Sequence, residues 1–417
     1  MLEKSLPVST VLPDRGDRQG SAALDRADPL ARYRDLFVDA PGVLAYLDGN
    51  SLGRPLKSSI EAVDVFLRQQ WGVRLIRGWE EGWLDLPLTT GDELGRVALG
   101  AESGQVAIGD STTVLIYKLV RAALDARPGR TEIVIDRDNF PTDRYVVEGI
   151  AADRGLRVRW IETDAAAGVT PDLVAAAVGP DTAVTLFSCV AYRSAFIADV
   201  AAVNAVVHEA GALGIWDVSH AVGSVPTELD AWGVDLAVGC GYKYLNGGPG
   251  APAFLYVRRE LQSELAQPIH GWLGSRAPFE MGQGYEPAEG IRGFLSGTPP
   301  IIGMIAMRQM IELLDEVGMT AVRAKSVLLG EFAVALADEL LPEARLSSPR
   351  DSSRRGGHIT LDDGRFEGIL PRLYERGVIP DFRRPNGIRL GMSPLSTSFA
   401  EVEAGIRTIA QVLAEAS

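Results

Sequence analysis

Short apolar runs alternate along the chain with longer segments whose apolar residues recur every three or four positions. Seven runs have the length and the β-branched residues typical of strands, at positions 105–108, 131–136, 156–162, 182–188, 213–217, 235–239 and 252–257. Most of them are separated by segments with helical spacing, such as 114–126 and 200–210. This alternation predicts an α/β fold with a mostly parallel seven-stranded sheet and helices on both faces.

The pattern changes after about residue 303, where long helical segments replace the alternation. Helices are predicted over 305–317 and 320–340, followed by a short strand near 357–361 and a last helix over 398–415. We therefore expect four parts along the chain: a flexible or loosely docked arm over 1–30, an N-terminal segment over 31–75, a large α/β domain over 76–303 and a smaller α+β C-terminal domain over 304–417. The N-terminal segment should pack with the small domain.

Composition narrows the class of protein. With 417 residues and 46% hydrophobic content, the chain can bury a large core. Its net charge of −14 argues against nucleic acid or an anionic membrane as a partner, since both require a basic surface. The first thirty residues lack the apolar core of a secretory signal, and no apolar run is long enough to span a membrane. Cys189 and Cys240 end apolar runs and are expected to be core thiols, so a reducing cytoplasm is the expected compartment.

Lysine is rare in this chain, and one lysine occupies an unusual place. Of the 41 Lys and Arg residues only five are lysines, at positions 4, 57, 118, 243 and 325. Lys243 lies in the glycine-rich segment 239–250, close to apolar neighbours. Removing water from a lysine amine favours its neutral, nucleophilic form, so this position suits amine chemistry. The alternative is a structural lysine with a packed stem and a head that reaches solvent.

Polar residues follow the carboxyl ends of several predicted strands, which is where ligands bind in open α/β sheets. Asp217 ends the apolar run 212–216, and His220 follows closely. A buried carboxylate there needs a partner, which a protonated ring nitrogen of a cofactor would provide. An N-cap for the next helix is the alternative for Asp217.

Two further groups follow the first and second predicted strands. Thr112 and Thr113 precede a helix, and their hydroxyls with the free N–H groups of a helix start suit a phosphate, although capping alone would also explain them. Phe140 and Asp143 offer an aromatic ring for a planar cofactor and a nearby carboxylate, or else belong to an ordinary loop. Together with Lys243 and Asp217, these residues fit pyridoxal phosphate. This cofactor needs a lysine for a Schiff base, a carboxylate for its ring nitrogen, an aromatic ring for its face and a site for its phosphate.

Several motifs of the chain resemble those of the kynureninases, pyridoxal-phosphate enzymes of fold type I. Asn-Ser-Leu-Gly at 50–53 and Lys-Tyr-Leu-Asn-Gly-Gly-Pro-Gly at 243–250 are the most specific of them. The other matching segments lie at 46–49, 140–143, 216–220, 239–242, 271–274, 294–300 and 388–391, so the resemblance covers nearly everything after residue 40. It implies the fold-type I transferase architecture and a hydrolase that acts on carbon–carbon bonds.

The resemblance implies a role for each matching residue. Lys243 would form the Schiff base with the cofactor and move protons at the substrate α-carbon, while Tyr242 would bind phosphate and donate a proton during cleavage. Asp217 would hold the pyridine nitrogen protonated. Other cofactor contacts would come from Thr112, Thr113, Phe140, Asp143, Ser188 and His220, and across a subunit boundary from Trp272 and Thr298. The substrate would be held by Arg389, Asn50 and Ser51, because a planar guanidinium suits the α-carboxylate.

The same resemblance implies the reaction and the assembly. The Cβ–Cγ bond of L-kynurenine or 3-hydroxy-L-kynurenine would be hydrolysed, which gives anthranilate or 3-hydroxyanthranilate and L-alanine. This reaction belongs to tryptophan catabolism, the kynurenine pathway and NAD biosynthesis. A homodimer is expected because the phosphate site would be shared between two subunits.

Three segments, with four residues between them, depart from the family's pattern and bear on the substrate. Ser275 stands where a histidine is expected, Ser396 stands where a tyrosine is common, and Ser194-Ala195 replaces Thr-Gly. A kynureninase-like hydrolase of another γ-oxo amino acid is therefore one alternative. A class V aminotransferase or a cysteine desulfurase shares the fold, but a desulfurase needs a reactive cysteine on a mobile loop, and neither cysteine lies in a polar loop. An inactive binding protein would be expected to lack the lysine or the arginine, and this chain has both.

Overall fold

The computed structural model describes residues 20–164 and 166–416. Over these residues the chain forms twelve α-helices. They are α1 (Ser21–Ala27), α2 (Lys57–Val65), α3 (Gly72–Arg74), α4 (Leu86–Leu94), α5 (Thr112–Asp125), α6 (Pro141–Arg154), α7 (Pro171–Ala175), α8 (Val200–Glu209), α9 (Ile301–Val317), α10 (Met319–Leu340), α11 (Phe366–Glu375) and α12 (Phe399–Ala416). Within the same ranges, no helix combines the length and the apolar character needed to cross a membrane.

Twelve strands in the described ranges form two sheets. They are β1 (Ala45–Leu47), β2 (Val106–Gly109), β3 (Glu132–Asp136), β4 (Arg157–Ile161), β5 (Thr182–Ser188), β6 (Leu213–Asp217), β7 (Leu236–Cys240), β8 (Ala253–Val257), β9 (Arg345–Leu346), β10 (His358–Asp362), β11 (Val378–Arg383) and β12 (Gly387–Gly391).

The large sheet has seven strands in the order β2-β8-β7-β6-β5-β3-β4. Strands β7, β6, β5, β3 and β4 run parallel, whereas β8 is antiparallel to both of its neighbours. Val134 belongs to one apolar core, and Ile133 and Ile135 belong to another, as expected for alternate residues of a strand covered on both faces. The predicted α/β fold with a mostly parallel seven-stranded sheet is confirmed, and each strand begins and ends within one residue of its predicted bounds.

The small sheet has five strands in the order β1-β11-β12-β10-β9. The first strand comes from the N-terminal segment and pairs in parallel with β11, while the remaining pairs are antiparallel. Only β10 was predicted in this region. Strand β11 contains Pro380 and Asp381, and β12 contains two glycines and Arg389, so neither has the apolar, β-branched composition of an ordinary strand.

Three apolar cores organise the described residues. Two lie on opposite faces of the large sheet, and the third lies between the small sheet and helices α10, α11 and α12. Helix α9 contributes Met304, Met307 and Leu314 to a core of the large sheet, and α2 packs against α9. The division of the chain into domains at 75/76 and 303/304 stays a prediction.

The chain from residue 20 onward is held against the C-terminal part of the molecule. The two carboxylate oxygens of Asp25 accept hydrogen bonds of 3.0 Å from the backbone N–H groups of Phe399 and Ala400, at the start of α12. Asp28 forms a buried ion pair with Lys325 of α10. Residues 20–30 are thus firmly docked rather than loosely held, and residues 1–19 of the expected arm lie outside the described residues.

Candidate active site

The carboxyl ends of β5, β6 and β7 gather polar residues at one edge of the large sheet. Ser188 and Asp217 are direct partners in the ladder between β5 and β6, and Lys243 follows the end of β7 by three residues. Open α/β sheets bind ligands at this edge because their connecting loops diverge there. Three of the predicted site residues are therefore neighbours in space.

The backbone around Lys243 is fixed by close packing. A Cβ atom on Gly241 would lie 2.6 Å from the sulfur of Met307, so only glycine fits at this approach to α9. The backbone N–H of Asn246 donates to the Lys243 carbonyl at 3.0 Å, and the Asn246 amide donates to the Arg54 carbonyl at 2.8 Å. The glycine-rich segment thus holds the lysine in one place.

The Lys243 amine lies in a buried aromatic pocket. The residue is 8% exposed, and Nζ lies 3.4 Å from both ring nitrogens of His220. It also lies 5.6 Å from the centre of the Phe140 ring and 6.0 Å from that of Tyr242. Burial, together with the charge of Lys243, holds the pKa of His220 well below its usual range, so this imidazole is neutral near pH 7.

Two carboxylates lie beside this lysine. Oδ1 of Asp217 accepts a hydrogen bond of 2.8 Å from the backbone N–H of Ser219. Asp143 in the first turn of α6 is 1% exposed, and its Oδ2 atom has no hydrogen-bond partner among the described residues. Burial and the nearby Asp217 raise the pKa of Asp143 well above its usual range. A cationic ring nitrogen between the two carboxylates would offset the cost of burying their negative charges, so the pair fits the pyridinium of pyridoxal phosphate.

The predicted phosphate site lies at the start of α5. Thr112 is half-buried and Thr113 is exposed, and no side chain caps the first turn of the helix. The N–H groups of that turn remain available to an anion. Behind the turn, Lys118 is fully buried and donates to Asp110 at 2.8 Å, which fixes the loop that leads into the helix. The arrangement fits a phosphate group.

Arg389 lies on β12 and is 1% exposed. Its Nε atom donates to Asp381 at 2.5 Å, Nη1 donates to the Tyr192 carbonyl at 2.6 Å, and Nη2 donates to the Ser51 hydroxyl at 2.9 Å. Asp381 is the direct ladder partner of Arg389 across β11 and β12. The guanidinium is therefore oriented from three sides, and the carboxylate of Asp381 balances its charge.

The turn after β1 reaches both the lysine segment and the arginine. The backbone N–H of Gly53 donates to the Tyr242 carbonyl at 2.9 Å, while Ser51 contacts Arg389. Asn50 is fully buried and lies over Gly391, where a Cβ atom would be 1.7 Å from the Asn50 oxygen. Asn50 and Ser51 therefore lie beside the predicted carboxylate site, and Gly53 lies beside the lysine segment.

Trp272 and Thr298 contact each other. The Trp272 indole donates to the Thr298 hydroxyl at 3.3 Å in an exposed position, and its ring contacts Trp79 and Phe279, with centres 5.7 and 5.9 Å apart. Among the described residues, the contacts of this pair do not include Lys243. Within one chain, these two predicted site residues belong to an aromatic group that includes Trp79 and Phe279.

The three departures from the family's pattern lie in different places. Ser275 follows the turn that carries Trp272, and Ser396 is buried after β12. Ser194 is buried and donates to the Ala167 carbonyl at 2.8 Å, and Ala195 adopts a left-handed backbone with φ of 62°. None of these residues is hydrogen-bonded to the Lys243 amine in the described structure.

Sequence reasoning missed two residues near the site, Asp381 and His358. Both lie on strands of the small sheet beside Arg389. Asp381 follows Pro380 in a segment that reads as a loop, and His358 is the first residue of β10. The one charged residue among positions 378–382, Asp381, lies eight positions before Arg389 and was an available signal.

The fold and the lysine-centred site define an enzyme of the pyridoxal-phosphate class that includes the class V aminotransferases. The family model described as Aminotransferase class-V matches residues 99–370. Similar solved structures include a cysteine desulfurase from Thermococcus onnurineus NA1, with a TM-score of 0.78 and 17% identity over 89% of this chain and 95% of that chain. The cysteine desulfurase CsdA from Escherichia coli has a TM-score of 0.77 and 17% identity, over 93% and 98% of the two chains. At this level of identity the likeness shows the fold alone.

Sequence relatives specify the family further. A kynureninase from Burkholderia pseudomallei (strain 1106a) is 39% identical over 405 residues, and one from Pseudomonas fluorescens is 36% identical over 405 residues. Each comparison covers 95% of this chain and 95% of the relative. The chain belongs to the kynureninase family. The predicted family and the predicted fold-type I architecture are confirmed.

Proposed function

We propose that this chain is a pyridoxal-phosphate-dependent hydrolase that cleaves the Cβ–Cγ bond of L-kynurenine or its 3-hydroxy form. The products are anthranilate or 3-hydroxyanthranilate, and L-alanine. The observation that carries the proposal is the buried cluster of Lys243, His220, Asp143 and Asp217 in a member of the kynureninase family. Near full-length similarity to kynureninases favours this reaction over amino-group transfer or desulfuration.

The residues around Lys243 would hold the cofactor. Asp217 and Asp143 would bind the ring nitrogen, Phe140 would stack on the ring face, and the start of α5 at Thr112 and Thr113 would bind phosphate. Once bound, the cofactor would withdraw electrons from the substrate α-carbon. Ser188 and His220 would complete the wall of the pocket. Because the imidazole is neutral, it would not attract the phosphate by charge, and it can still accept a hydrogen bond.

Proton movements fall to Lys243 and Tyr242. The lysine amine lies where it can take a proton from the α-carbon and return it elsewhere on the substrate. Burial raises the pKa of the Tyr242 phenol, so this group is protonated near neutral pH and can donate a proton to the β-carbon, which becomes the methyl group of alanine. Lys243 is 8% exposed and Tyr242 is half-buried, so water has limited access to the lysine amine.

Arg389 would bind the substrate α-carboxylate. Its guanidinium is oriented by Asp381 and the Tyr192 carbonyl, and Ser51 joins it from the turn after β1. Fixing the planar group in advance reduces the entropy lost on binding. Asn50 extends the same wall, so Arg389, Ser51 and Asn50 form a continuous substrate-binding surface.

We further propose that the enzyme is a homodimer. Trp71, Leu75 and Ile76 expose 52%, 57% and 76% of their surface, and this apolar segment leads to Trp79, which contacts Trp272. A second subunit covering the segment would receive Trp272 and Thr298 at its phosphate site. Sedimentation of the wild-type protein should give the mass of a dimer, and Ile76→Glu should lower the fraction of dimer. A wild-type protein that is fully active as a monomer would contradict the proposal.

We also expect the enzyme to act in the cytoplasm. Cys189 and Cys240 are both buried and free of disulfides, and burial raises the pKa of Cys189 to about 12, so this thiol is unreactive. Free buried thiols suit a reducing compartment. Fractionation of the native cells tests this, and recovery of the enzyme outside the cytoplasm would contradict it.

Product analysis tests the proposed reaction. The purified protein with added cofactor should convert L-kynurenine or 3-hydroxy-L-kynurenine into equal amounts of L-alanine and the fluorescent aromatic acid. Arg389→Lys should raise KM at least about tenfold, because an ammonium cannot reproduce the planar, multiply bonded guanidinium. Arg350→Lys, in the exposed pair with Asp338, is the control and should leave KM unchanged. Absence of alanine with both substrates would overturn the proposed function.

A further inference from the structure

Asn139 lies in the loop that connects β3 to the cofactor site. It follows the last residue of β3 by three positions and directly precedes Phe140, whose ring centre lies 5.6 Å from Lys243 Nζ. Only 2% of the surface of Asn139 is exposed. A buried amide needs partners for both its oxygen and its nitrogen. The partners of Asn139 therefore indicate what this residue holds in place.

The Asn139 oxygen accepts two hydrogen bonds from residues of the site. The backbone N–H of Phe140 donates to Oδ1 at 2.7 Å, and the Ser188 hydroxyl donates to the same oxygen at 3.0 Å. Phe140 is the N-cap residue of α6, and Ser188 is the last residue of β5. One oxygen atom thus joins the start of α6 to the end of β5.

The Asn139 nitrogen fixes the direction of the amide. Nδ2 donates to the Leu186 carbonyl at 3.2 Å, and Leu186 is the partner of Ile135 in the ladder between β3 and β5. A carbonyl can only accept a hydrogen bond and a backbone N–H can only donate one, so a reversed amide would lose the bonds to Leu186 and Phe140. The large sheet thus determines where the Asn139 oxygen points.

The bond to Asn139 also sets the hydrogen-bonding character of Ser188. A hydroxyl has one proton and two lone pairs, and the bond to Asn139 Oδ1 uses that proton. Ser188 is half-buried and lies opposite Asp217 in the ladder between β5 and β6, so its lone pairs remain accessible to a bound group. Ser188 therefore offers a hydrogen-bond acceptor to a ligand.

Phe140 carries the influence of Asn139 further into the site. Its ring meets the Tyr192 ring edge-on, with centres 5.4 Å apart and planes at 81°. The Tyr192 carbonyl accepts a hydrogen bond from Arg389 Nη1. A shift of the Phe140 ring would therefore reach both the pocket of Lys243 and the support of Arg389.

We propose that Asn139 is a positioning residue for the cofactor. Its amide holds Phe140 at the backbone and directs the Ser188 hydroxyl, and these two residues would contact pyridoxal phosphate. Without the amide, the Phe140 N–H and the Ser188 hydroxyl lose their common acceptor, so the ring and the hydroxyl lose their fixed orientation. The inference rests on the part of the proposed function that assigns pyridoxal phosphate to this pocket, and it does not depend on which amino acid is cleaved.

Cofactor binding by matched variants tests this role. Equilibrium dialysis of the holoenzyme against pyridoxal phosphate gives the dissociation constant, and circular dichroism in the visible band of the bound cofactor reports how its ring is held. Asn139→Leu has a similar volume but cannot form the three hydrogen bonds. It should raise the dissociation constant about tenfold and weaken the circular dichroism. Asn139→Asp keeps the accepting oxygen and should raise the constant by less than about threefold.

Asn204→Leu is the matched control. Asn204 is also a buried asparagine, 1% exposed, and its amide donates to the Trp232 carbonyl at 3.1 Å and accepts from the Trp216 indole at 2.8 Å. These bonds join α8 to β6 and to Trp232. The variant should lower the free energy of unfolding, measured in urea at a fixed cofactor concentration, because its buried partners lose their hydrogen bonds. It should leave the dissociation constant and the circular dichroism unchanged.

Two outcomes would overturn the inference. Wild-type affinity and circular dichroism in Asn139→Leu, or in Asn139→Ala where the leucine variant does not fold, would mean that Asn139 serves only the fold. An equal loss of affinity in Asn139→Asp and Asn139→Leu would mean that the accepted hydrogen bonds do not position the cofactor. Wild-type enzyme that binds the cofactor but releases no alanine from either kynurenine would contradict the proposed function, while the predicted order of dissociation constants would still support the role of Asn139.

Discussion

At the scale of single residues, Asp136 shows what burial at the carboxyl edge of the sheet does to a side chain. This residue ends β3, is 7% exposed, and has an Oδ1 atom without a hydrogen-bond partner in the described structure. Burial raises the pKa of Asp136 to about 7, and the nearby charge of Asp138 acts in the same direction. The folded protein therefore holds a proton on this carboxyl that the unfolded chain releases near pH 4.

This difference in pKa predicts how stability depends on pH. Between about pH 4 and about pH 7 the folded state binds more protons at Asp136 than the unfolded state, so the free energy of unfolding falls as pH rises. The loss is on the order of 4 kcal/mol at most. Asp136→Asn has no titrating carboxyl and should not show this loss. In urea unfolding, the free energy of unfolding of the variant relative to wild type should therefore rise between about pH 5 and about pH 8. Equal pH dependence of the two proteins would contradict the assignment.

At the scale of elements, helix α1 is tied to the C-terminal part by a buried ion pair. Lys325 and Asp28 expose 3% and 1% of their side chains, and Lys325 also lies 5.5 Å from the centre of the Phe399 ring. Burial lowers the pKa of Lys325, whereas the charge of Asp28 favours its protonated form. Removing one partner would leave an uncompensated charge in the interior.

The consequence is a test of how α1 is docked. Lys325→Met should lower the free energy of unfolding by about 3 to 5 kcal/mol, because Asp28 then remains buried without a counter-charge. Adding Asp28→Asn should recover most of this loss. Arg350→Met breaks an exposed pair with Asp338 and should change stability by less than about 1 kcal/mol. Thermal or urea unfolding measures all three, and an equal effect of both single variants would contradict a special role for α1.

The composition of each strand determines how well the sequence predicts it. The strands of the large sheet are buried on both faces and read as continuous apolar runs, so their positions followed from the pattern. Strand β12 combines Gly387, Gly391 and Arg389 because its face must admit Asn50 and hold a guanidinium, and these functional demands hide its strand character. Likewise β1 has three residues and gains its pairing from β11, far away in the chain.

Motifs predicted the lysine-centred cluster better than pattern alone could. Lys243, His220, Phe140, Asp143 and Asp217 meet in the described structure, as the predicted strand ends required. The contact of Arg389 with Asp381 depends on the register of the small sheet, which has no local signal in the sequence. The same holds for the packing of Asn50 over Gly391. Family membership confirms the predicted cofactor and enzyme class.

At the scale of the whole molecule, the three buried lysines have separate environments. Lys118 pairs with Asp110 behind α5, and Lys325 pairs with Asp28 at α1, so each has a carboxylate as its partner. Lys243 instead faces the neutral ring of His220 where the large and small sheets meet. Because Lys118 and Lys325 are held in ion pairs, Lys243 is the buried lysine that we expect to react with the aldehyde of the cofactor.

The most direct test of this account is to identify the lysine that carries the cofactor. Borohydride reduction of the purified holoenzyme fixes the cofactor to its lysine, and peptide mass spectrometry then shows which peptide is labelled. The account predicts a single label on the peptide that contains Lys243, and none in Lys243→Ala. A label on the peptide of Lys118 or Lys325, or an unlabelled wild-type protein that still cleaves L-kynurenine, would contradict it.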